Sequence, residues 1–134
     1  MSSFRQGRYS WLIKPIFYTI DLTVINVVAD PIINTQPIID TIICEGGTYP
    51  LSFGVSGGLG TPSYQWYTNS SSSTIGAVPI PGATASNYLP PVFALDANYF
   101  FFCEVVYPVQ GCNTLISDMA EIVVINDPIV TTAP

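Results

Sequence analysis

From about residue 37 onward, apolar and polar residues alternate in short runs that are separated by turn-forming residues. In the run 49–56, Leu51, Phe53 and Val55 fall on one face of an extended chain, and smaller or more polar residues fall on the other. Alternation with a period of two residues is typical of a half-buried β-strand. The same pattern predicts seven short strands, at 38–44, 49–56, 63–68, 76–81, 86–89, 98–107 and 115–125.

The spacing and content of these strands indicate an all-β, immunoglobulin-like β-sandwich with an N-terminal apolar tail. Turn signals recur about every 8–12 residues, and Trp66 falls on the third strand, as in that fold. The sequence before the sixth strand resembles the corner at which a tyrosine hydroxyl bonds back to the backbone, and it assigns that role to Tyr99. Phe53 and Phe101 fall where antibody domains place their inter-sheet cysteines. We therefore expect Phe53, Trp66, Tyr99 and Phe101 to form the core.

A duplicated stretch suggests how this domain is used. Residues 21–37 and 118–134 are identical at 8 of 17 positions and lie 97 residues apart. Recurrence at a fixed step is typical of tandem arrays. On this interpretation 32–127 is one immunoglobulin-like repeat, and 128–134 begins the linker to a next module. Residues 1–31 form a basic and apolar segment in which Leu22 to Val28 is the last strand of a preceding module.

The N-terminal segment also permits a different interpretation. Residues 7–26 resemble the first membrane segment of bacterial polyprenyl-phosphate sugar transferases, through 7–15, 18–22 and 24–26. That resemblance implies membrane contact through residues 9–29 and a membrane-anchored extracytoplasmic domain. The duplicated stretch instead predicts a β-strand for some of the same residues.

Charge and composition exclude several classes of function. The chain has three basic and nine acidic residues, and all three basic residues lie within the first fourteen positions. A surface without positive charge does not attract nucleic acid. The absence of histidine removes His-based catalysis and His metal ligands, and Asp30, Asp118 and Asp127 lack a calcium-loop spacing. We expect no enzyme activity, no metal and no cofactor.

A more specific resemblance covers residues 27–134. Many small motifs occur in the order found in one repeat of the giant SprB-type surface adhesins of gliding Bacteroidetes: 43–48, 56–67, 81–84, 90–93, 99–103 and 111–113. The resemblance implies an exported, tandemly repeated module on the bacterial cell surface, acting as a spacer that supports adhesion or gliding. Its partners would be neighbouring repeats of the same array.

The three cysteines allow one disulfide and leave one thiol over. Sandwich geometry favours Cys44 with Cys103, whereas the adhesin resemblance implies Cys44 with Cys112. A Cys103–Cys112 link across the last hairpin is the third alternative, and three buried free thiols are the fourth.

Aromatic residues on the predicted sixth strand suggest a second function. If Glu104 points outward, pleat alternation also sends Phe100 and Phe102 outward, next to Tyr67 on the neighbouring strand. These three side chains would then form an exposed platform for sugar rings, as in a carbohydrate-binding module that recognises surface polysaccharide. The alternative is that a loop or the apolar N-terminal segment covers them.

Overall fold

The computed structural model describes residues 22–132 of the chain. The predictions made for the basic lead, and for the part of the membrane-segment resemblance that precedes residue 22, lie outside the described residues. Within the described part the chain forms strands and loops but no helix. Ten strands occur: β1 (Ile32–Thr35), β2 (Asp40–Cys44), β3 (Leu51–Ser52), β4 (Gly54–Ser56), β5 (Ser63–Asn69), β6 (Val78–Pro79), β7 (Asn87–Tyr88), β8 (Ala97–Val106), β9 (Leu115–Ile116) and β10 (Ala120–Ile125).

These strands form the two layers of an immunoglobulin-like sandwich, as the sequence predicted. The larger sheet has the order β2-β10-β8-β5-β6, with β9 also paired to β8. Its pairs are antiparallel except β2 with β10, which run parallel. The other layer consists of the pairs β1–β4 and β3–β7. Phe53 connects β3 to β4 along the chain and so joins the two pairs. The all-β fold class is therefore confirmed.

The first predicted strand differs from the structure in one respect. Instead of one strand, the chain forms β1, which pairs with β4 in one layer, and then β2, which pairs with β10 in the other. Pro37 lies buried between them. Because proline has no N–H and a fixed φ, it cannot continue a hydrogen-bonded ladder, and the chain changes sheets there.

The core is aromatic where other immunoglobulin domains carry a disulfide. Trp66, Phe53 and Phe101 are buried in one cluster, and Trp66 Nε1 donates to the Ala85 carbonyl oxygen at 2.9 Å. The Tyr88 ring lies 6.1 Å from Trp66 and 6.0 Å from Phe101, centroid to centroid. Each fully buried large apolar side chain contributes roughly 1.5–3 kcal/mol relative to exposure. These rings hold the two layers together.

Tyr99 forms a corner at the start of β8. Its hydroxyl donates to the Leu95 carbonyl oxygen at 3.0 Å, and its ring centroid lies 4.5 Å from that of Phe93. The hydrogen bond ties the loop before β8 to the strand, in the manner of the tyrosine corner of this fold.

Candidate functional site

The predicted aromatic platform is not exposed, so that prediction is wrong. Phe100 and Phe102 retain only 9% and 5% of their accessible surface. Pleat alternation itself holds, since Phe101 and Cys103 belong to the core cluster while Phe100 and Phe102 do not. However, β8 is central between β10 and β5, so its outward side chains are flanked by neighbours on both sides. Facing outward on a central strand does not make a side chain accessible.

Tyr67 contributes directly to this burial. It lies opposite Phe102 in the β5–β8 register, and the two rings stack with centroids 5.0 Å apart and planes at 5°. The Tyr67 hydroxyl donates to Glu104 Oε1 at 3.1 Å. That hydrogen bond is the main reason that the pKa of Tyr67 is raised. The Tyr67 ring thus covers Phe102, and its hydroxyl is paired with Glu104.

The three cysteines are free thiols. Cys44 ends β2 opposite Ile125, next to the pair Val124–Ala97. Cys103 lies six residues further along β8 than Ala97, a separation of about 20 Å at the usual rise of a strand. Cys112 follows β8, beyond Cys103.

A disulfide requires Cα atoms about 4.4–6.8 Å apart, so both bridges that involve Cys44 are wrong for this fold. Sandwich geometry correctly places Cys44 at the end where β8 begins, but Cys103 lies six residues further along that strand. Cys103 and Cys112 are not bonded either. Cys103 is fully buried, and burial raises the pKa of its thiol to about 12.

One end of the sandwich, which we call the neutral end, consists of the loop 57–62 and the turn 109–114. Neither segment contains a charged residue. The chain enters the sandwich across this end: the Gly58 N–H donates to the Ala29 carbonyl oxygen at 3.3 Å. Asn113 Nδ2 donates to Asp30 Oδ2 at 2.8 Å, and the next residue, Pro31, is buried.

The opposite end, which we call the acidic end, carries Glu45, Asp96 and Asn126. The Asp96 N–H donates to Glu45 Oε2 at 3.2 Å. The Asn126 amide, oriented with its NH2 toward these carboxylates, donates to Asp96 Oδ2 at 3.2 Å and to Glu45 Oε2 at 3.0 Å. The residue that follows β10 is thereby fastened to its own module.

An apolar cleft of about 510 Å³ opens beside β6. Its walls are mostly proline, aliphatic and aromatic side chains, including Pro79, Ile80 and Tyr88. The hydroxyl of Thr68, also in the wall, donates to the Phe100 carbonyl oxygen. Small-molecule sites usually combine apolar walls with a few convergent polar groups. The polar side chains in the walls of this cleft are Thr68, Tyr88 and Tyr99, and the hydroxyls of Thr68 and Tyr99 donate to backbone carbonyl oxygens.

Within residues 22–132, no cluster of three or more acidic or cysteine side chains could hold a metal ion. No helix of that part of the chain is long and apolar enough to cross a membrane.

Comparison with known proteins gives a fold likeness alone. No protein-family model matches the sequence, and no curated protein matches it significantly. Among solved structures, a chimeric titin Z1Z2 functionalized with an exogenous KLER peptide from decorin is similar. Its TM-score is 0.49 and its identity 18%, over 76% of this chain and 100% of that one. At this distance nothing about binding transfers from one protein to the other.

Proposed function

We propose that this chain is a structural repeat of a bacterial cell-surface adhesin. It acts as a spacer in an extended tandem array that supports adhesion or gliding, and its partners are neighbouring repeats of the same array. The observation that carries the proposal is the duplicated stretch, whose two copies have opposite environments in the same chain.

The second copy of the stretch contains the central strand β10. Ile122 and Val124 are 0% and 2% exposed there, between β8 and β2. The identical residues of the first copy, Ile25 and Val27, are 81% and 91% exposed, and 22–31 has no strand assignment. A sequence that suits a buried strand but lies exposed supports the proposal that this stretch belongs to a neighbouring module rather than to this sandwich.

The spacing between modules is short on this view. In the second copy, β10 ends at Ile125, and the residue that corresponds to the start of β1 is Ile129. Three residues, 126–128, therefore join one module to the next, and one of them is proline, which restricts the backbone. Short and restricted linkers favour an extended array.

The bacterial and surface assignments are supported by the sequence. The motifs between 43 and 113 resemble those of SprB-type adhesin repeats in the same order. The absence of lysine and arginine after residue 14 suits an exported protein. Protease treatment of intact cells that express the epitope-tagged protein tests this part: cleavage without lysis is expected, and protection until lysis would contradict an extracellular location.

The two alternatives have less support. A carbohydrate-binding module based on Tyr67, Phe100 and Phe102 required an exposed platform, and two of those side chains are buried. A membrane-anchored domain relied on residues 9–29, of which only 22–29 are described, and those residues are exposed and form no helix.

A two-copy chain tests the array function. It carries a second copy of residues 32–128 inserted directly after Pro128, so the repeat continues at its natural step. If the repeat is a module, single-molecule stretching will give two unfolding events of equal contour length, against one event for the original chain. A second copy that stays unfolded, or a single event of doubled length, would contradict the proposal.

A further inference from the structure

The contacts of the first linker copy are specific to one end of the module. Asp30 accepts from Asn113 at 2.8 Å, Ala29 accepts from Gly58 at 3.3 Å, and Pro31 is buried. Val28, which is 44% exposed, also lines a cavity of about 220 Å³ with Leu59 and the turn 109–112. Entry into the module is therefore a docked arrangement rather than a loose tether.

The second linker copy repeats the residues but has no such partners. Asp127 and Pro128 correspond to Asp30 and Pro31 at the 97-residue step. Both are exposed, and within the described range the Asp127 carboxylate makes no hydrogen bond. Ile129 and Val130, which correspond to β1 residues, are 80% and 84% exposed. The surface that holds this sequence in the first copy is the neutral end.

We propose that Asp127 and Pro128 dock onto the neutral end of a following copy of this module, so that consecutive modules form a stiff junction. This inference rests on the proposed array function. Asn126 is already fastened to Glu45 and Asp96 of its own module. Asp127 would accept from Asn113 of the following copy, as Asp30 does here. All three linker residues are then held, and none is free to act as a hinge.

The charges of the two ends are compatible with this contact. The acidic end carries Glu45 and Asp96, and the linker adds Asp127. The neutral end carries no carboxylate in 57–62 or 109–114, and it supplies amide donors from Asn113 and Gly58. Bringing the ends together therefore opposes no two like charges from these segments, and it gives the Asp127 carboxylate a charge-assisted hydrogen bond.

The experiment uses the two-copy chain described above and its backbone ¹⁵N relaxation. A docked junction predicts that both modules report one shared, anisotropic rotational correlation time. Asn113→Ala in the second copy should abolish shared tumbling, because it removes the donor to Asp127 of the first copy. Asn87→Ala in the second copy is the matched control, since Asn87 is exposed on β7 and makes no side-chain hydrogen bond within residues 22–132.

Exchanging the amide and the carboxylate between positions 113 and 127 distinguishes a specific contact from a general weakening of the junction. Asn113→Asp in the second copy places two carboxylates together and should release the modules. Adding Asp127→Asn in the first copy restores an amide–carboxylate pair with the roles reversed, and shared tumbling should return.

Two folded modules that tumble independently would overturn the junction while leaving the array function intact. Shared tumbling that survives Asn113→Ala would overturn it too. A second copy that fails to unfold cooperatively in urea would instead refute the array function, so the two failures are distinguishable.

Discussion

The packing of the neutral end depends on the absence of a side chain at Gly58. We therefore expect Gly58→Ala to lower the free energy of unfolding. The φ of Gly58 is +72°, a conformation that side chains rarely adopt, and an added Cβ would lie 2.7 Å from Tyr107 Cε1 and 3.0 Å from Cζ. Tyr107 is buried at 7% exposure, so its ring has little room to move. Gly58→Ala therefore combines backbone strain with overpacking.

Gly76 provides the matched control, because its φ is +79° but an added Cβ meets nothing within 4 Å. The left-handed conformation costs a non-glycine residue roughly 1–2 kcal/mol, and this is the whole expected cost of Gly76→Ala. Overpacking a filled site adds roughly 1–3 kcal/mol. The loss in free energy of unfolding for Gly58→Ala should therefore be about 2–5 kcal/mol.

Urea unfolding followed by tryptophan fluorescence measures both variants, and a double-mutant cycle with Tyr107→Ala identifies the cause. With Tyr107 removed, the cost of Gly58→Ala should fall to that of Gly76→Ala. Equal costs for the two single variants, or no coupling between Gly58→Ala and Tyr107→Ala, would refute the argument that the Tyr107 ring fills the space next to Gly58.

Three further predictions concern single side chains. Tyr99→Phe removes the hydrogen bond to Leu95 and should lower the free energy of unfolding by about 0.5–1.5 kcal/mol, whereas Tyr49→Phe, whose hydroxyl has no such bond within residues 22–132, should be near neutral in the same urea titration. Under native conditions Cys44 should react with iodoacetamide and Cys103 should not, and peptide mass spectrometry would contradict this if both were labelled equally. Because the native pKa of Cys103 is raised from 9.0 to about 12, the unfolded chain loses a proton that the folded chain keeps; stability should fall as pH rises above 9, at most by about 1.4 kcal/mol per pH unit. Cys103→Ala should reduce that slope between pH 9 and 10, and an unchanged slope would contradict the prediction.

The strands and their core were predictable because local pattern and tertiary burial agree there. The alternation 51, 53, 55 buries Leu51 and Phe53 as a period-two strand requires. The hydroxyl of Tyr99 bonds the backbone four residues upstream, a short-range contact that a local motif encodes. Such features depend on residues close in sequence, which a single sequence reveals.

The predictions that were wrong, the aromatic platform and the disulfide, concerned the position of a residue within the sheet, which the local pattern does not give. Pleat alternation gives the direction in which Phe100 points, but its accessibility depends on the strands beside β8. The disulfide that sandwich geometry favours does not form because Cys103 lies six residues past the start of β8, whereas Cys44 lies at the acidic end where β8 begins. The contact between Asp30 and Asn113 joins residues 83 apart in sequence, and neither residue signals it alone. The duplicated Asp-Pro stretch is the sequence feature that marks Asp30 as a residue with a role in the fold.

The two ends of the module are different surfaces, and that difference determines what kind of assembly the proposed junction can build. A contact that uses the same patch on both partners closes as a dimer, whereas one that joins two different patches leaves an unused patch at each end and can continue. In the proposed junction, the acidic end with its linker and the neutral end with Asn113 would form a contact of the second kind. Because three residues would covalently join each module of the proposed array to the next, the contact would form between neighbours in sequence. Such an array would continue in one direction along the chain, and its stiffness would depend on the contacts of those three residues rather than on the sandwiches that they connect.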